Sequence, residues 1–164
     1  MTAVSVRLLV PADAAAYQAL RVRGMTEHPE AFTSSALDEA ARDLKWAQER
    51  LRAAPHRPHD FLLGAFQADT LVGVVGIQGR NRPKERHNAT VVGMYVARAL
   101  MPALLDRVAA MPGVVQLDLT VTAGNDRAQA LYGACGFTVF GVLTRAIKVG
   151  ERYFDKVHML LPMH

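Results

Sequence analysis

One stretch of this chain predicts a strand, a capped helix and a second strand with almost no residue to spare. Val114–Thr122 has the character of a strand, Asn125–Cys135 carries apolar side chains at helical spacing, and Thr138–Leu143 again has the pattern of a strand. Asn125 is a good N-cap because its side-chain oxygen can accept from the first amides of the helix. Gly136 is typical of a left-handed C-terminal stop. The segment therefore constrains the chain to a sheet with a helix packed on it.

The remaining patterns extend this unit to the order β-α-α-β-β-β-α-β-α-β-β. A loop is predicted over Gly24–Ser35, which separates the first two helices. The other strands are predicted at Val4–Val10, Phe61–Phe66, Leu71–Ile77 and His87–Val96 and in the tail from about Tyr153, and the other helices at Ala14–Arg23, Leu37–Ala53 and around Leu100–Val108.

Length and composition predict a single domain over residues 1–164. The 164 residues are 51% hydrophobic and 21% charged, which is ordinary for a globular protein. No apolar run approaches the roughly 20 residues of a membrane span, and the N-terminus lacks the basic and apolar regions of a signal peptide. Cys135 is the single cysteine, so a disulfide framework and a thiolate metal cluster are excluded. We expect a cytoplasmic protein with no membrane partner.

The net charge of +4 raises the question of an anionic partner. Arg80, Arg82, Lys84 and Arg86 form the one dense basic run, and no aromatic residue interleaves it, so no nucleic-acid partner is expected. A solvated loop and a site for an anionic ligand both account for the run. The histidines of the turn Pro55–His59 have no carboxylate or cysteine at metal spacing, so no metal site is predicted.

Two motifs carry a resemblance to a known family. The spacing N-x-x-A-x-x-L-Y-x-x-x-G-F over Asn125–Phe137 resembles the fourth helix of the GCN5-related N-acetyltransferases, the GNAT family. Lys84–Val96, with the spacing K-x-x-H-x-A-x-x-x-G-M-Y-V, is similar to the fourth strand of a bacterial subgroup. With the element order, the resemblance spans essentially the whole chain. It implies an α/β (α+β) fold with a central mixed, mostly antiparallel sheet of about seven strands flanked by helices.

The resemblance implies transfer of an acetyl group from acetyl-CoA, the co-substrate, to a primary amine by direct attack. In the family this helix lies beside coenzyme A with its tyrosine hydroxyl facing the thioester sulfur, so Tyr132 is implied to protonate the leaving thiolate. A phenol with a pKa near 10 stays protonated at neutral pH. The alternative is that Tyr132 only fills the core. The implied cofactor contacts, which include a backbone amide of residues 94–96 as oxyanion donor and Tyr132 itself, are Met94, Tyr95, Val96, Arg98, Ala99, Asn125, Arg127, Ala128 and Tyr132.

The acceptor is expected to be a small-molecule or peptide amine, and a homodimer is expected because dimers are common in the family. The loop Gly24–Ser35 is implied to border the acceptor cleft, as is the segment before the last strand. Candidate contacts are Glu27, His28, Glu30, Phe32, His87 and Tyr153, with loop solvation, capping and sheet packing as the alternative roles. The general base stays open between a water relayed by Glu27, Glu30 or His87 and deprotonation in bulk water. Cys135 is interpreted as core.

The chain departs from the family pattern between the fourth strand and the next helix. The family places Arg/Gln-x-x-Gly-x-Gly/Ala there, so that backbone amides and the helix dipole hold the pyrophosphate. Here Val96 runs directly into Ala97 and Arg98, roughly eight to ten residues short of that pattern. Either the protein has lost its main cofactor anchor, or a disordered glycine-rich loop is missing from the printed sequence and the numbering was closed up. The first explanation implies an alternative function, a catalytically inactive GNAT-like binding module.

Overall fold

The computed structural model describes residues 3–95 and 98–164, without the side chain of Met94, and shows a seven-stranded sheet flanked by helices. The strands are β1 (Val4–Leu8), β2 (Phe61–Gln67), β3 (Thr70–Gly79), β4 (Asn88–Tyr95), β5 (Gln116–Thr122), β6 (Thr138–Val149) and β7 (Arg152–Pro162). The helices are α1 (Ala14–Glu27), α2 (Ala36–Ala40), α3 (Leu44–Leu51), α4 (Leu100–Ala109) and α5 (Asp126–Ala134), with short 3-10 turns at Pro11–Asp13 and Pro29–Ala31. The predicted fold class is confirmed.

Strands β4 and β5 meet in parallel and then separate. The sheet order is β1-β2-β3-β4-β5-β7-β6, and every other neighbouring pair is antiparallel. Within the described residues, β4 and β5 pair only over Asn88–Thr90 and Gln116–Asp118. Both strands continue beyond these pairs, so a gap opens between their carboxyl ends. Strand carboxyl ends are a common position for ligand sites in open sheets that contain parallel strands.

A bulge in β4 turns the end of this strand. Val74 faces Tyr95 and Gly76 faces Val92 across the β3–β4 ladder, so β4 has one residue more than β3 over the same interval. Gly93, inside the bulge, has a φ of +68°, a conformation that glycine adopts without steric cost. The extra residue increases the local bend of β4 where it leaves β5. The bulge therefore helps to hold the gap open.

Apolar side chains cover both faces of the sheet. On one face α4 and α5 pack against the central strands, and Leu100, Leu104 and Val108 of α4 are fully buried. On the other face α1 and α3 pack against β2 and β3, with Tyr17 and Ala47 fully buried. At roughly 25 cal/mol per Å² of apolar surface removed from water, this burial is the main stabilising contribution to the fold. The two helix layers fix α5 and the end of α1 on either side of the gap.

Three predicted element boundaries are wrong. The helix predicted over Leu37–Ala53 is two helices, because the Asp43 side chain accepts from the Trp46 amide and caps a new helix start. The first helix continues past Arg23 to Glu27, through Gly24. The strand predicted over Thr138–Leu143 extends to Val149 because it pairs with β7 as a long hairpin.

The connection between β4 and α4 comprises residues 96–99. Residues 98 and 99 form a turn, Ala99 is the N-cap of α4 without a side-chain capping bond, and Pro102 lies in the first turn of the helix. Proline is tolerated there because the first-turn amides have no partner within the helix. Pro102 therefore fits the start of α4 and does not break the helix. In the full sequence β4 and α4 are connected by these four residues alone, none of which is glycine.

A buried lysine connects the sheet to the 3-10 turn at Pro29–Ala31. The Lys156 side chain on β7 is 7% exposed, and its Nζ donates to the carbonyl oxygen of Ala31 at 3.3 Å and to Oγ1 of Thr122 at 3.0 Å. The Thr122 hydroxyl in turn donates to the carbonyl oxygen of Glu30 at 2.7 Å. These three hydrogen bonds hold the turn against the carboxyl end of β5. Burial lowers the pKa of Lys156, and the charge of Glu30 opposes this effect.

The substitution Lys156→Met tests this contact through the pH dependence of stability. Because burial lowers the pKa of Lys156 in the folded state, the unfolded chain holds this proton more tightly. Rising pH therefore stabilises the wild type between the folded-state pKa and the ordinary value of 10.5. The free energy of unfolding of the wild type should increase relative to that of the variant as the pH approaches 10.5, as measured by urea unfolding.

The matched control is Lys148→Met, which removes an exposed lysine from β6. Its difference from the wild type should stay constant over the same pH range. An equally constant difference for Lys156→Met would show that the buried ammonium has no depressed pKa and would contradict the assignment.

Candidate active site

A cleft of about 650 Å³ lies at the end of the sheet where β4 and β5 separate. A volume of this size is within the range of small-molecule sites, about 300–1,000 Å³. Its walls come from the turn at Pro29–Ala31, the end of β4, the start of α4 and the face of α5. The lining residues are His28, Glu30, Ala31, Phe32, Tyr95, Arg98, Asn125, Arg127, Ala128, Ala130, Leu131, Tyr132 and Ala134.

Tyr132 faces this cleft from helix α5, whose first and last residues are determined by local capping. The Asn125 side chain accepts from the Ala128 amide at 3.2 Å and caps the helix, and Gly136, at a φ of +97°, ends it. Tyr132 is 5% exposed and packs edge-on against Phe137 at 6.3 Å between ring centroids. Burial raises the pKa of Tyr132 to about 12, and the neighbouring Cys135 contributes in the same direction. The phenol is therefore protonated at neutral pH.

Cys135 follows Tyr132 by three residues, and the structure places it in the core cluster. The side chain is partly buried and packs against the apolar cluster beneath α4 and α5. Burial raises the pKa of its thiol. Since the thiolate is the nucleophilic form, this environment disfavours covalent chemistry at Cys135. The position agrees with its interpretation as a core residue.

Behind the opposite wall, Glu27 is held by two hydrogen bonds. The Tyr95 hydroxyl donates to its Oε2 at 2.8 Å and Arg23 Nε donates to its Oε1 at 2.9 Å. Both hydrogen bonds lower the pKa of Glu27, and the bond from Arg23 has the larger effect. The hydrogen bond to Glu27 raises the pKa of Tyr95. Glu27 is thus a carboxylate at neutral pH and a weaker base than an ordinary glutamate. Tyr95 lines the cleft and bonds to Glu27, so the carboxylate lies directly behind a residue of the cleft wall.

Gly24 makes room for this arrangement within α1. A Cβ atom at position 24 would lie 2.8 Å from Cδ2 of Tyr95 and 3.3 Å from Cζ of Phe32. Glycine inside a helix costs about 0.5–1 kcal/mol relative to alanine, because it loses more conformational freedom on folding. The close approach of the Tyr95 and Phe32 rings requires it here. The sequence had predicted that the first helix ends before Gly24. The structure shows that this glycine provides space for two rings and does not end the helix.

The other side of the cleft suits a phosphorylated ligand. Arg98 and Arg127 are exposed on its lining, and α4 begins beside Arg98 with no side chain capping its first amides. A helix N-terminus with free amides and nearby guanidinium groups favours phosphate. Pro102 removes one amide donor from this first turn. Coenzyme A fits these residues, with a smaller set of amide donors than a glycine-rich loop would provide.

The strand β4 supplies backbone groups to the same gap. Beyond Thr90, its edge toward β5 has no ladder pairing within residues 3–95 and 98–164. Amide donors along such an edge are available to a developing oxyanion, which supports the expectation for Met94 and Tyr95. Val96, the third residue of that expectation, lies outside the described residues, and for Met94 only the backbone is described.

The structure brings most of the predicted site residues together. Tyr95, Arg98, Asn125, Arg127, Ala128, Tyr132, Glu30, Phe32 and His28 line the cleft, and Glu27 bonds to a lining residue. Ala99 lies in the adjoining turn but is not part of the lining. His87 and Tyr153 do not reach it: His87 precedes β4 at the opposite end of the sheet, and Tyr153 is 53% exposed beside Arg145 and Lys148. The structure gives no support to acceptor contacts at these two positions.

The basic run Arg80–Arg86 also lies away from the cleft. It connects β3 to the start of β4, whereas the cleft forms at the other end of β4. Eight residues of β4 at about 3.3 Å each separate the two ends by about 23 Å. The residues that line the cleft do not include this run. An anion bound in the cleft, such as the phosphates of coenzyme A, therefore does not explain it.

Several residues of the site are absent from the sequence-based expectations. Ala31, Ala130, Leu131 and Ala134 line the cleft, while Lys156 and Thr122 hold its wall from behind. The alternation of the last strand places Lys156 on one face with Phe154 and His158, and a lysine within this largely apolar strand was the available signal. Its partners are 34 and 125 residues away in the chain, so the contact itself leaves no local pattern.

In the described ranges no helix is long and apolar enough to cross a membrane, and no group of three His, Cys, Asp or Glu side chains is arranged to hold a metal ion.

Comparison with solved structures shows how widely this architecture occurs. An acetyltransferase of the GNAT family from Streptococcus pneumoniae superimposes with a TM-score of 0.85 at 23% identity, over 99% of this chain and 100% of that one. YncA from Salmonella typhimurium, solved with its cofactor acetyl-CoA, superimposes with a TM-score of 0.77 at 18% identity, over 99% and 95%. At these identities the likeness shows the fold.

The family follows from sequence similarity. The model of the acetyltransferase (GNAT) domain matches residues 6–158, and the N-alpha-acetyltransferase RimI of Mycobacterium tuberculosis is 38% identical over 115 residues, 65% of this chain and 70% of that protein. Together with the fold and the cleft, these matches establish that the chain belongs to the GNAT family of N-acetyltransferases, whose acyl donor is acetyl-CoA.

Proposed function

We propose that this acetyltransferase moves the acetyl group directly to a primary amine and that Tyr132 protonates the leaving thiolate. The observation that carries the proposal is the position of Tyr132: a protonated, largely buried phenol on a capped helix, lining a cleft beside two exposed arginines. Acetyl-CoA supplies an activated thioester at this site. Isothermal titration with acetyl-CoA and a thiol-release assay with a panel of amines test the proposal together.

The charges on the two walls suggest how the substrates are oriented. Arg98 and Arg127 face the α4–α5 side, where they attract the phosphates of the donor. Glu30 on the lining and Glu27, which lies behind Tyr95 and is paired with Arg23, place carboxylates on the opposite side, and these attract a protonated amine. Opposite charges at the two ends of the cleft favour one orientation of the pair.

Proton movements then follow from the groups present. The amine must lose a proton before attack, and the lowered pKa of Glu27 makes this carboxylate a poor acceptor for it. We therefore assign proton removal to solvent, through the open mouth of the cleft, and assign to Glu27 the electrostatic attraction of the amine from behind Tyr95. Amides on the free edge of β4 stabilise the negative charge that develops on the carbonyl oxygen. As the carbon–sulfur bond breaks, Tyr132 donates its proton to the sulfur, and the attacking nitrogen releases its second proton to solvent to give the neutral amide. Solvent then reprotonates Tyr132.

The acceptor class that we propose first is the α-amine of a peptide. The relative from Mycobacterium tuberculosis is an N-alpha-acetyltransferase by name, and the cleft is open enough to admit a chain end. Peptides with free and blocked N-termini, free lysine and a polyamine distinguish the alternatives. The homodimer and the cytoplasmic location stay predictions.

One observation favours a second function, a GNAT-like module that binds a ligand without turnover. The connection from β4 to α4 comprises residues 96–99 and contains no glycine, and Pro102 removes a further amide donor. In this alternative the protein binds acetyl-CoA or another ligand in the titration but releases no thiol with any amine. Thiol release with any member of the panel would exclude it.

Replacing Tyr132 with Phe tests the proton donor. The substitution removes the hydroxyl and retains the ring, so packing against Phe137 is preserved. We expect kcat to fall by about 10²-fold or more, the usual magnitude for loss of a general acid, with little change in the Kd for acetyl-CoA. Tyr17→Phe, which removes a buried hydroxyl bonded to Arg50 outside the cleft, is the matched control. Unchanged kcat in Tyr132→Phe would assign Tyr132 to the core alone.

Replacing Glu27 with Gln separates binding of the amine from base catalysis. Glutamine keeps an oxygen that can accept from Tyr95 and removes the negative charge. We expect the KM for the acceptor to rise by roughly 3–10-fold with kcat nearly unchanged, which is the pattern for loss of ground-state binding.

Glu49→Gln, which neutralises an exposed carboxylate on α3, is the control for net charge. If Glu27 were the general base, Glu27→Gln would instead lower kcat strongly and change the acidic limb of its pH profile. That result would reverse the assignment.

A further inference from the structure

Two loops meet at the end of the sheet that is opposite the cleft. Residues 52–60 lead into β2, and residues 79–87 connect β3 to β4. The loops are joined where the Gly79 amide donates to Oδ1 of Asp60 at 2.8 Å. They line a cavity of about 130 Å³ that includes Arg57, Arg80 and Arg86. We call these two loops the basic surface.

The basic surface carries the whole net charge of the chain. It contains six of the 19 lysine and arginine residues and two of the 15 acidic residues, a formal charge of +4. The rest of the chain has 13 basic and 13 acidic residues and is neutral on balance. Three of the six histidines also lie in these loops. Such a concentration of one sign is unfavourable for the isolated protein, because like charges repel, and it produces a field that attracts anions.

Three cations of this surface have no internal counter-charge. Arg80 is paired with Asp118 at 2.7 Å, and Arg57 lies 3.8 Å from Asp60. Arg82, Lys84 and Arg86 are exposed and form no ion pair with any residue in the described parts of the chain. Their charge is therefore available to an external partner.

The composition of the loops favours a phosphate-bearing partner. Five of the six cations are arginines, whose planar guanidinium matches phosphate oxygens through paired hydrogen bonds. The loops contain no Phe, Tyr, Trp, Leu, Ile, Val or Met, so they lack the apolar centre that protein interfaces have. They also offer no aromatic platform for stacked bases. What remains is recognition of a charged backbone, independent of base sequence.

We propose that the basic surface binds the phosphodiester backbone of a nucleic acid. From the sequence, the absence of aromatic residues in the run Arg80–Arg86 argued against such a partner; the structure adds the loop 52–60 to this run, and recognition of a backbone alone requires no stacking residue. Because the surface and the cleft lie at opposite ends of β4, a bound backbone leaves the cleft open. The enzyme can thus be held near a nucleic acid while it acetylates an amine.

Fluorescence anisotropy with a labelled single-stranded RNA, and with DNA of the same sequence, tests the proposal. We expect dissociation constants of about 1–100 µM at physiological salt. The triple variant Arg82→Gln, Lys84→Gln, Arg86→Gln should reduce the slope of log K against log salt by about 2 on these single strands. Three phosphate contacts on a single strand correspond to a loss of about 20-fold in affinity between 50 and 200 mM salt. Equal slopes for RNA and DNA support recognition of the backbone. Tighter binding of one of the two identifies which nucleic acid the surface prefers.

The charge-matched control changes Lys45, Lys148 and Arg152 to Gln, which removes three exposed cations elsewhere on the molecule. It should keep the slope of the wild type, and both variants should keep the thiol-release rate on a small amine. Failure of both nucleic acids to bind at 50 mM salt, or an equal loss in both variants, would overturn the proposal. Displacement of the RNA by poly-glutamate at equal charge would instead assign the surface to an acidic protein. Since the readout is binding, the outcome does not depend on catalysis.

Discussion

The separation of β4 from β5 is the constraint on which the site depends. Within the described part of the chain, these two parallel strands pair over three residues and then diverge, so that backbone groups without a ladder partner face each other across a wedge. Unpaired backbone groups in a closed interior are costly, so such a wedge must stay open to water or ligand. The bulge at Gly93 maintains the angle between the ends of β4 and β5. Helix α5 follows β5 in the chain and lies along one side of the wedge. The cleft is thus a consequence of strand pairing.

The cleft separates charge between its two walls. Arginines lie on the side formed by the starts of α4 and α5, and carboxylates lie on the side formed by the end of α1 and the turn after it. A donor that carries phosphates and an acceptor that carries an ammonium have opposite charges. In the reaction proposed above, this arrangement attracts both reactants without placing like charges together. Tyr132 lies on this lining as a neutral group, because burial disfavours the phenolate.

Local signals were sufficient for the parts of the site that lie on one element. Asn125, Tyr132 and Gly136 mark the start, the face and the end of α5 within twelve residues, and a helix of this kind is determined by short-range contacts. The break at Asp43 was missed because a capping residue and a surface residue look alike in a run of helix formers. The extension of β6 was missed because it depends on pairing with β7, which propensity does not report.

The contacts that join distant segments could not be predicted. Tyr95 and Glu27 are 68 residues apart, and Lys156 and Ala31 are 125 residues apart. Each pair depends on the final packing of several elements, and each residue alone has an ordinary surface or core interpretation. His87 is an example of a local signal that misled. A histidine is suited to relay a proton, but His87 precedes β4, and the cleft lies at the other end of this strand.

The length of β4 also has a consequence for how this protein can be changed. Substitutions more than about 7–10 Å apart with no shared partner usually have additive effects on stability. The loops before β2 and β4 are separated from the cleft by about twice that distance or more. Solubility and surface charge can therefore be engineered at one end of the sheet and substrate selection at the other, with each set of variants screened independently and then combined.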